Sequence, residues 1–131
     1  MTPFEFRLDR SARLLRTTLR GFWDLEVVPR YERALWPKLQ ALAALKPGTT
    51  YSLVDSIDFP VQDRAVTAAL GEVMLKRAGT LHPDRTAILI NNALQKMQVS
   101  RHVVDDRVRL FVGEEEAMEW LLGAAPHARA A

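Results

Sequence analysis

The stretch Arg85-Thr86-Ala87-Ile88-Leu89-Ile90 sets the strongest limit on what this chain can become. Its four closing apolar residues do not alternate with polar ones, as they would in a strand with one wet face. They suit a strand covered on both faces, and such strands belong to sheets with helices packed on them. The flanks agree. Upstream, Ala65, Val66, Ala69, Leu70, Val73 and Met74 recur at helical spacing, with Arg77 in the last turn and Gly79 placed as a C-terminal cap. Downstream, Asn91 or Asn92 caps an expected helix from Ala93 to about Arg101, whose inner face holds Leu94 and Met97.

The rest of the chain reads in the same two periods. Phe4, Phe6 and Leu8 alternate with Glu5 and Arg7, which is a strand. Asp9-Arg10-Ser11 turns the chain, and Arg13 to Arg20 returns as a second strand with Leu15, Thr17 and Leu19 on one face. Gly21 ends this hairpin. Leu25, Val28, Tyr31, Leu35, Leu39 and Leu42 then mark one face of a helix of about 20 residues, capped by Asp24. Pro29 suits a first turn and Pro37 a kink. Thr50 to Asp55 is a short strand, and Val108 to Val112 is the last one. Gly113 precedes Glu114-Glu115-Glu116, three carboxylates that complement a helix dipole; Ala117, Trp120 and Leu121 form that helix's apolar face. The order β-β-α-β-α-β-α-β-α implies an α/β fold. We expect a single mixed, mostly parallel sheet of about five strands with about four helices. Residues 1–123 form one domain and 124–131 a flexible C-terminal tail.

Composition removes whole classes of chemistry. The absence of cysteine excludes disulfides, thiolate metal sites and cysteine nucleophiles. His82, His102 and His127 are far apart and match no metal-ligand spacing, so neither a metal nor a cofactor is expected. No phosphate-binding loop, dinucleotide fingerprint or nucleophile elbow occurs. There is no apolar run of membrane-spanning length and no signal-like start, so a cytoplasmic location is expected. The formal charge of +2 hides a bias: 14 arginines stand against 4 lysines, and Arg7, Arg10, Arg13, Arg16 and Arg20 crowd the hairpin. No aromatic residues interleave with them as a stacking platform would require, so nucleic acid is not the expected partner. The same arginines leave an anion-binding face open.

Three further signatures narrow the reading: Gly21-Phe22-Trp23-Asp24, Leu53-Val54-Asp55-Ser56-Ile57-Asp58-Phe59, and the run from Arg85 through Leu94, Met97-Gln98 and Arg101. That run closes on Val108-Arg109-Leu110-Phe111 and Glu116-Ala117-Met118-Glu119-Trp120-Leu121. Together they resemble the STAS-like (SpoIIAA-like) family of small bacterial domains, relatives of the sporulation anti-sigma-factor antagonists. The resemblance spans residues 4 to 122. It implies a non-enzymatic regulatory or protein-interaction module and leaves a homodimer open. In the antagonists a serine is phosphorylated at the start of the helix after the third strand. Here Val61-Gln62-Asp63-Arg64 stands at that place and offers no hydroxyl. Ser56 and Thr67 are the nearest, and Asp63 either mimics the phosphate or caps the helix. A looser likeness to CRAL-TRIO lipid-transfer domains supplies the alternative of a carrier for a small apolar or lipid-like ligand, held between the sheet and residues 62–78.

The C-terminal ends of parallel strands are where α/β folds place ligands. The expected partner or ligand surface is therefore Trp23, Asp55, Ser56, Asp58, Gln62, Asp63, Asn91 and Asn92, with no catalytic residue assigned. Asp55 and Asp58 would be the carboxylates of an enzyme, a remote third reading. Of the tryptophans, Trp23 is the candidate contact, Trp120 a core residue, and Trp36 partly exposed near Pro37.

Overall fold

The computed structural model describes residues 2–78, 81–91, 96–97 and 106–123. Strands β1 (Phe4–Asp9) and β2 (Leu14–Leu19) form an antiparallel hairpin. Helix α1 (Val27–Ala43), β3 (Tyr51–Asp55), α2 (Arg64–Ala78), β4 (Arg85–Leu89), β5 (Val108–Phe111) and α3 (Glu114–Met118) follow, and a π-helical turn, Glu119–Gly123, extends α3. One sheet holds all five strands in the order β1-β2-β3-β4-β5, parallel from β2 onward. The described residues contain three α-helices, against about four expected. The expected helix from Ala93 to Arg101 lies outside the described residues except at 96–97, which are helical; Met97 there is exposed rather than turned inward. Gly79, Asn92 and the tail 124–131 also lie outside them.

Both sheet faces are covered, as the β4 sequence requires. On one face, Leu15 and Leu19 of β2 pack with Trp23, Val28, Tyr31, Leu35, Leu39 and Leu42 beneath α1 and with Val66 and Val73 of α2. On the other, Leu14, Leu53, Ala87 and Leu89 pack against Ala117 and Leu121. Each buried Leu or Val among them contributes about 1.5–3 kcal/mol by leaving water. Right-handed crossovers that advance steadily along a sheet leave their helices on one side, which is why α1 and α2 share a face.

Three local details depart from expectation. The second strand starts at Leu14, because Arg13 adopts a positive φ of 57° that closes the hairpin turn. Helix α1 starts at Val27, so Leu25 precedes it and is exposed instead of lining its buried face. Asp24 still serves the helix start: its Oδ1 accepts the N–H groups of Glu26 and Val27 at 2.9 and 3.3 Å. Pro29, the third residue of α1, has no intrahelical N–H bond to lose. Pro37 sits inside the helix, beside the partly exposed Trp36.

The arginines of the hairpin are largely committed within the fold. Arg13 donates to the carbonyls of Leu45, Pro47 and Thr49, pinning the connection from α1 to β3. Gly48 there has φ 133°, and a Cβ at that position would lie 2.6 Å from Arg13 Nη2. Arg20 Nη1 pairs with Glu5 at 2.9 Å, and Arg16 with Asp55 and Glu114. Of the five, Arg16 and Arg20 hold carboxylates and Arg13 holds carbonyls, which leaves Arg7 and Arg10 without a side-chain salt bridge or carbonyl contact of this kind among the described residues. Trp120 completes the second core only in part: its ring contacts Phe111, and the Arg85 and Arg109 guanidinium carbons sit 5.4 and 5.3 Å from its centroid.

Candidate functional site

The loops at the C-terminal ends of β2, β3, β4 and β5 meet along one edge of the sheet. Gly21, at φ 74°, takes the left-handed turn that ends the hairpin, and its N–H donates to the Asp58 carbonyl at 3.0 Å. Ser56 N–H and its hydroxyl both donate to the Leu89 carbonyl. Asn91 Nδ2 donates to the Ile57 carbonyl at 3.2 Å, and Ile90 N–H to that of Phe111 at 2.8 Å. The four loops thereby form one surface.

Gln62 is the main cross-link. Only 6% exposed, it accepts the Trp23 N–H at 2.7 Å on Oε1 and donates from Nε2 to the carbonyls of Gly21 and Pro60 at 3.0 and 2.7 Å. Expected at a contact surface, it is instead an internal fastener. Trp23 departs from expectation in the same way. It is 5% exposed and packed among Phe4, Tyr31 and Phe59, with its indole N–H shared between the carbonyls of Arg20 and Pro3. Ser56 is 3% exposed and its hydroxyl is already bonded. Asp63 Oδ1 accepts the Val66 N–H at 2.9 Å, which caps α2. Asp55 faces the other side of the loop, accepting from Arg16 at 3.2 Å and from the Ile57 N–H at 3.2 Å. Asp58 and Asn91 remain exposed at the edge.

The pairing of Arg16 with Asp55 and Glu114 ties the hairpin to the start of α3. Its guanidinium meets both Glu114 oxygens, at 3.1 and 3.0 Å. That hydrogen bonding holds the Glu114 carboxyl below its ordinary value of 4.5, against partial burial and with the help of the guanidinium charge. A lowered folded-state pKa adds stability that is present above the unfolded value and lost as pH falls through the folded one. Glu114→Gln is therefore expected to cost about 0.5 kcal/mol at neutral pH, the pair being half-exposed. Its stability should also decline less steeply than the wild type's between about pH 5 and pH 3, followed by urea unfolding at stepped pH. Parallel declines would deny the bridge this role.

Residues that sequence reasoning passed over dominate the exposed part of this edge. Phe22 is 79% exposed and Val112 65%, and Leu25, Ile57 and Val61 are exposed with them. Only Phe22 could have been found from sequence. It precedes Trp23 in an extended segment, where neighbours point to opposite sides, so burying one exposes the other. Asp24, Glu26, Asp58 and Asp63 are exposed on the same loops. Among the described residues no group of three or more His, Asp or Glu is placed to hold a metal ion, and no helix is long and apolar enough to cross a membrane.

Comparison with solved structures gives the architecture its relatives. An uncharacterised protein of the DUF3478 family from Shewanella loihica PV-4, described as having a SpoIIAA-like fold, superposes with a TM-score of 0.66. The match covers 92% of this chain and 95% of that one. The fold is SpoIIAA-like. At 19% identity the two SpoIIAA-like chains share architecture rather than demonstrated function. No family model matches the sequence, and no curated protein sequence is significantly similar to it. Within this SpoIIAA-like fold the space between the sheet and α2 is filled by Val66, Val73 and their neighbours in the core.

Proposed function

We infer that this chain is a non-enzymatic protein-interaction module that docks a protein partner on the C-terminal edge of its sheet. The observation that carries this reading is the gathering there of Phe22, Leu25, Ile57, Val61 and Val112. They account for five of the eight large hydrophobic residues exposed among the described residues. Exposed apolar side chains grouped on cross-linked loops mark interaction sites, and an aromatic anchor within a polar rim is the usual arrangement. The rim here is acidic, from Asp24, Glu26, Asp58 and Asp63, so the partner that fits presents apolar side chains flanked by Lys or Arg. The polar groups that a catalyst or phospho-switch would use have structural duties. Asp55 binds Arg16, Ser56 binds the Leu89 carbonyl, and Asp63 caps α2.

The test is affinity capture from source cells followed by measured binding of the captured partner. Phe22→Asp and Ile57→Asp are expected to abolish binding while leaving unfolding free energy within about 0.5 kcal/mol of the wild type. Asp58→Lys should weaken binding through charge alone. Undiminished binding by both apolar variants would reject the surface. A lipid-mass adduct in native mass spectrometry, with no protein captured, would favour a carrier instead.

A further inference from the structure

We propose that β1 is a self-pairing edge, and that two copies of this chain join β1 to β1 antiparallel about a two-fold axis through Phe6. β1 is an end strand of the sheet. The phase of its ladder is set by the Arg20 N–H, which donates to the Pro3 carbonyl at 2.9 Å, and by Phe4 lying opposite Leu19. In an antiparallel ladder that makes Phe4 and Leu19 a pair without mutual hydrogen bonds. Alternation then points the backbone N–H and C=O of Phe4, Phe6 and Leu8 away from β2. The β1–β2 register runs unbroken from Phe4 to Asp9, so these groups form a regular, pairing-competent row.

Charge selects both the occupant and the register. Glu5, Arg7 and Asp9 alternate along the exposed face of β1. A second copy centred on Glu5 would set Glu5 against itself. One centred on Arg7 would oppose the two Arg7 side chains and set Glu5 against Asp9. Centring on Phe4 leaves Glu5 opposite Pro3. Centring on Leu8 sets Arg7 against Asp9, but Asp9 already accepts the Ser11 hydroxyl and the Ala12 N–H, and Phe6 then runs against Arg10 in the turn. Centring on Phe6 alone places Glu5 opposite Arg7 twice, with Phe6 opposite Phe6 and Phe4 opposite Leu8 on the other face. Both Glu5–Arg7 pairs then fall at positions without mutual hydrogen bonds, where cross-strand side chains come closest. The apolar pairs extend the surface on which Phe4 and Phe6 already contact Tyr31.

Arg7 shows what the isolated chain lacks. It lies opposite Arg16 in the hairpin, a like-charge neighbour. Arg16 and Arg20 each hold a carboxylate, and among the described residues Arg7 holds none. The second copy's Glu5, whose Oε1 holds its own Arg20 at 2.9 Å, supplies it through the other carboxylate oxygen. Charges on an edge strand ordinarily repel unrelated strands; the order Glu then Arg, read antiparallel, admits its own copy. This flank is separate from the strand-end loops, so it stands whether or not a partner docks there.

Sedimentation equilibrium of the full chain is expected to show a reversible dimer that weakens as salt is added. Glu5→Arg and Arg7→Glu each create two like-charge pairs and should raise the dimer Kd about tenfold or more, with circular dichroism unchanged. Mixed in equal amounts, the two variants should form a heterodimer with an affinity close to the wild type's, because opposite charges face each other again. A wild type that stays monomeric, a dimer indifferent to both substitutions, or a mixture that fails to recover would each overturn the proposal.

Discussion

Trp23→Ala is expected to lower the free energy of unfolding by about 3–5 kcal/mol, a large share of the roughly 5–15 kcal/mol typical of a domain. The indole is the joint of three elements. Its ring centroid lies 5.9 Å from that of Phe4 in β1, 5.3 Å from Tyr31 in α1 and 5.0 Å from Phe59 in the loop before α2. Its N–H also satisfies the carbonyls of Arg20 and Pro3, at 3.0 and 3.3 Å. Alanine leaves a cavity that these rings can only partly close, and it takes a donor from the part-buried Arg20 carbonyl. Trp23→Phe keeps an aromatic ring but not the N–H, and should cost less, about 1–2 kcal/mol from the lost hydrogen bonds. Urea unfolding measures both. Native-state hydrogen exchange should show β1 losing protection first, because its apolar face rests on this cluster. A cost below about 1 kcal/mol for the alanine variant would mean that Trp23 is not a core residue.

Gln62→Ala is expected to cost about 2–4 kcal/mol, more than the truncation of most polar side chains. The side chain is buried and satisfies one donor and two acceptors on two separate loops. Removing it leaves the buried Trp23 N–H without its partner and takes a donor from the part-buried Gly21 and Pro60 carbonyls. Leaving a buried polar group unsatisfied costs more than the net worth of the hydrogen bond that covered it. Gln62→Glu separates the contributions. It keeps an acceptor for the Trp23 N–H but sets a carboxylate against two carbonyl oxygens at neutral pH. Its unfolding free energy should therefore recover partly as the medium is acidified enough to protonate it, whereas that of Gln62→Ala should not. Equal acid responses of the two variants would remove the side-chain amide from its assigned role.

These two residues also show how much of the site was legible beforehand. Periodicity located the strands, α1, α2 and the helix start after Gly113 to within a few residues. The continuous run in β4 correctly demanded cover on both faces. At the strand ends Asp58, Asp63 and Asn91 were expected at the surface and are exposed. Trp23 and Gln62 were expected to face a partner and are internal, whereas Phe22, Leu25, Ile57, Val61 and Val112 were not named for that surface and are exposed. Leu25 was misplaced because the helical spacing was extended backward through Asp24-Leu25-Glu26, a capping turn that precedes the helix.

The physical division is between local and distant causes. Side-chain spacing, turn chemistry and cap residues act over a few positions, so the α/β class, the antiparallel edge hairpin, the capping role of Asp24 and the helix start after Gly113 could be read in order along the chain. Burial at the strand ends depends on which loops meet. That follows from sheet register and from bonds such as Gln62 to Trp23, 39 positions apart, and Arg16 to Glu114, 98 apart. Ion pairing obeys the same rule. Five arginines crowded into one hairpin look like a basic patch in one dimension. In three, carboxylates and carbonyls from remote segments absorb Arg13 and Arg16 and Glu5 of the facing strand holds Arg20, while Arg7, opposite Arg16, is left for a neighbour to complete.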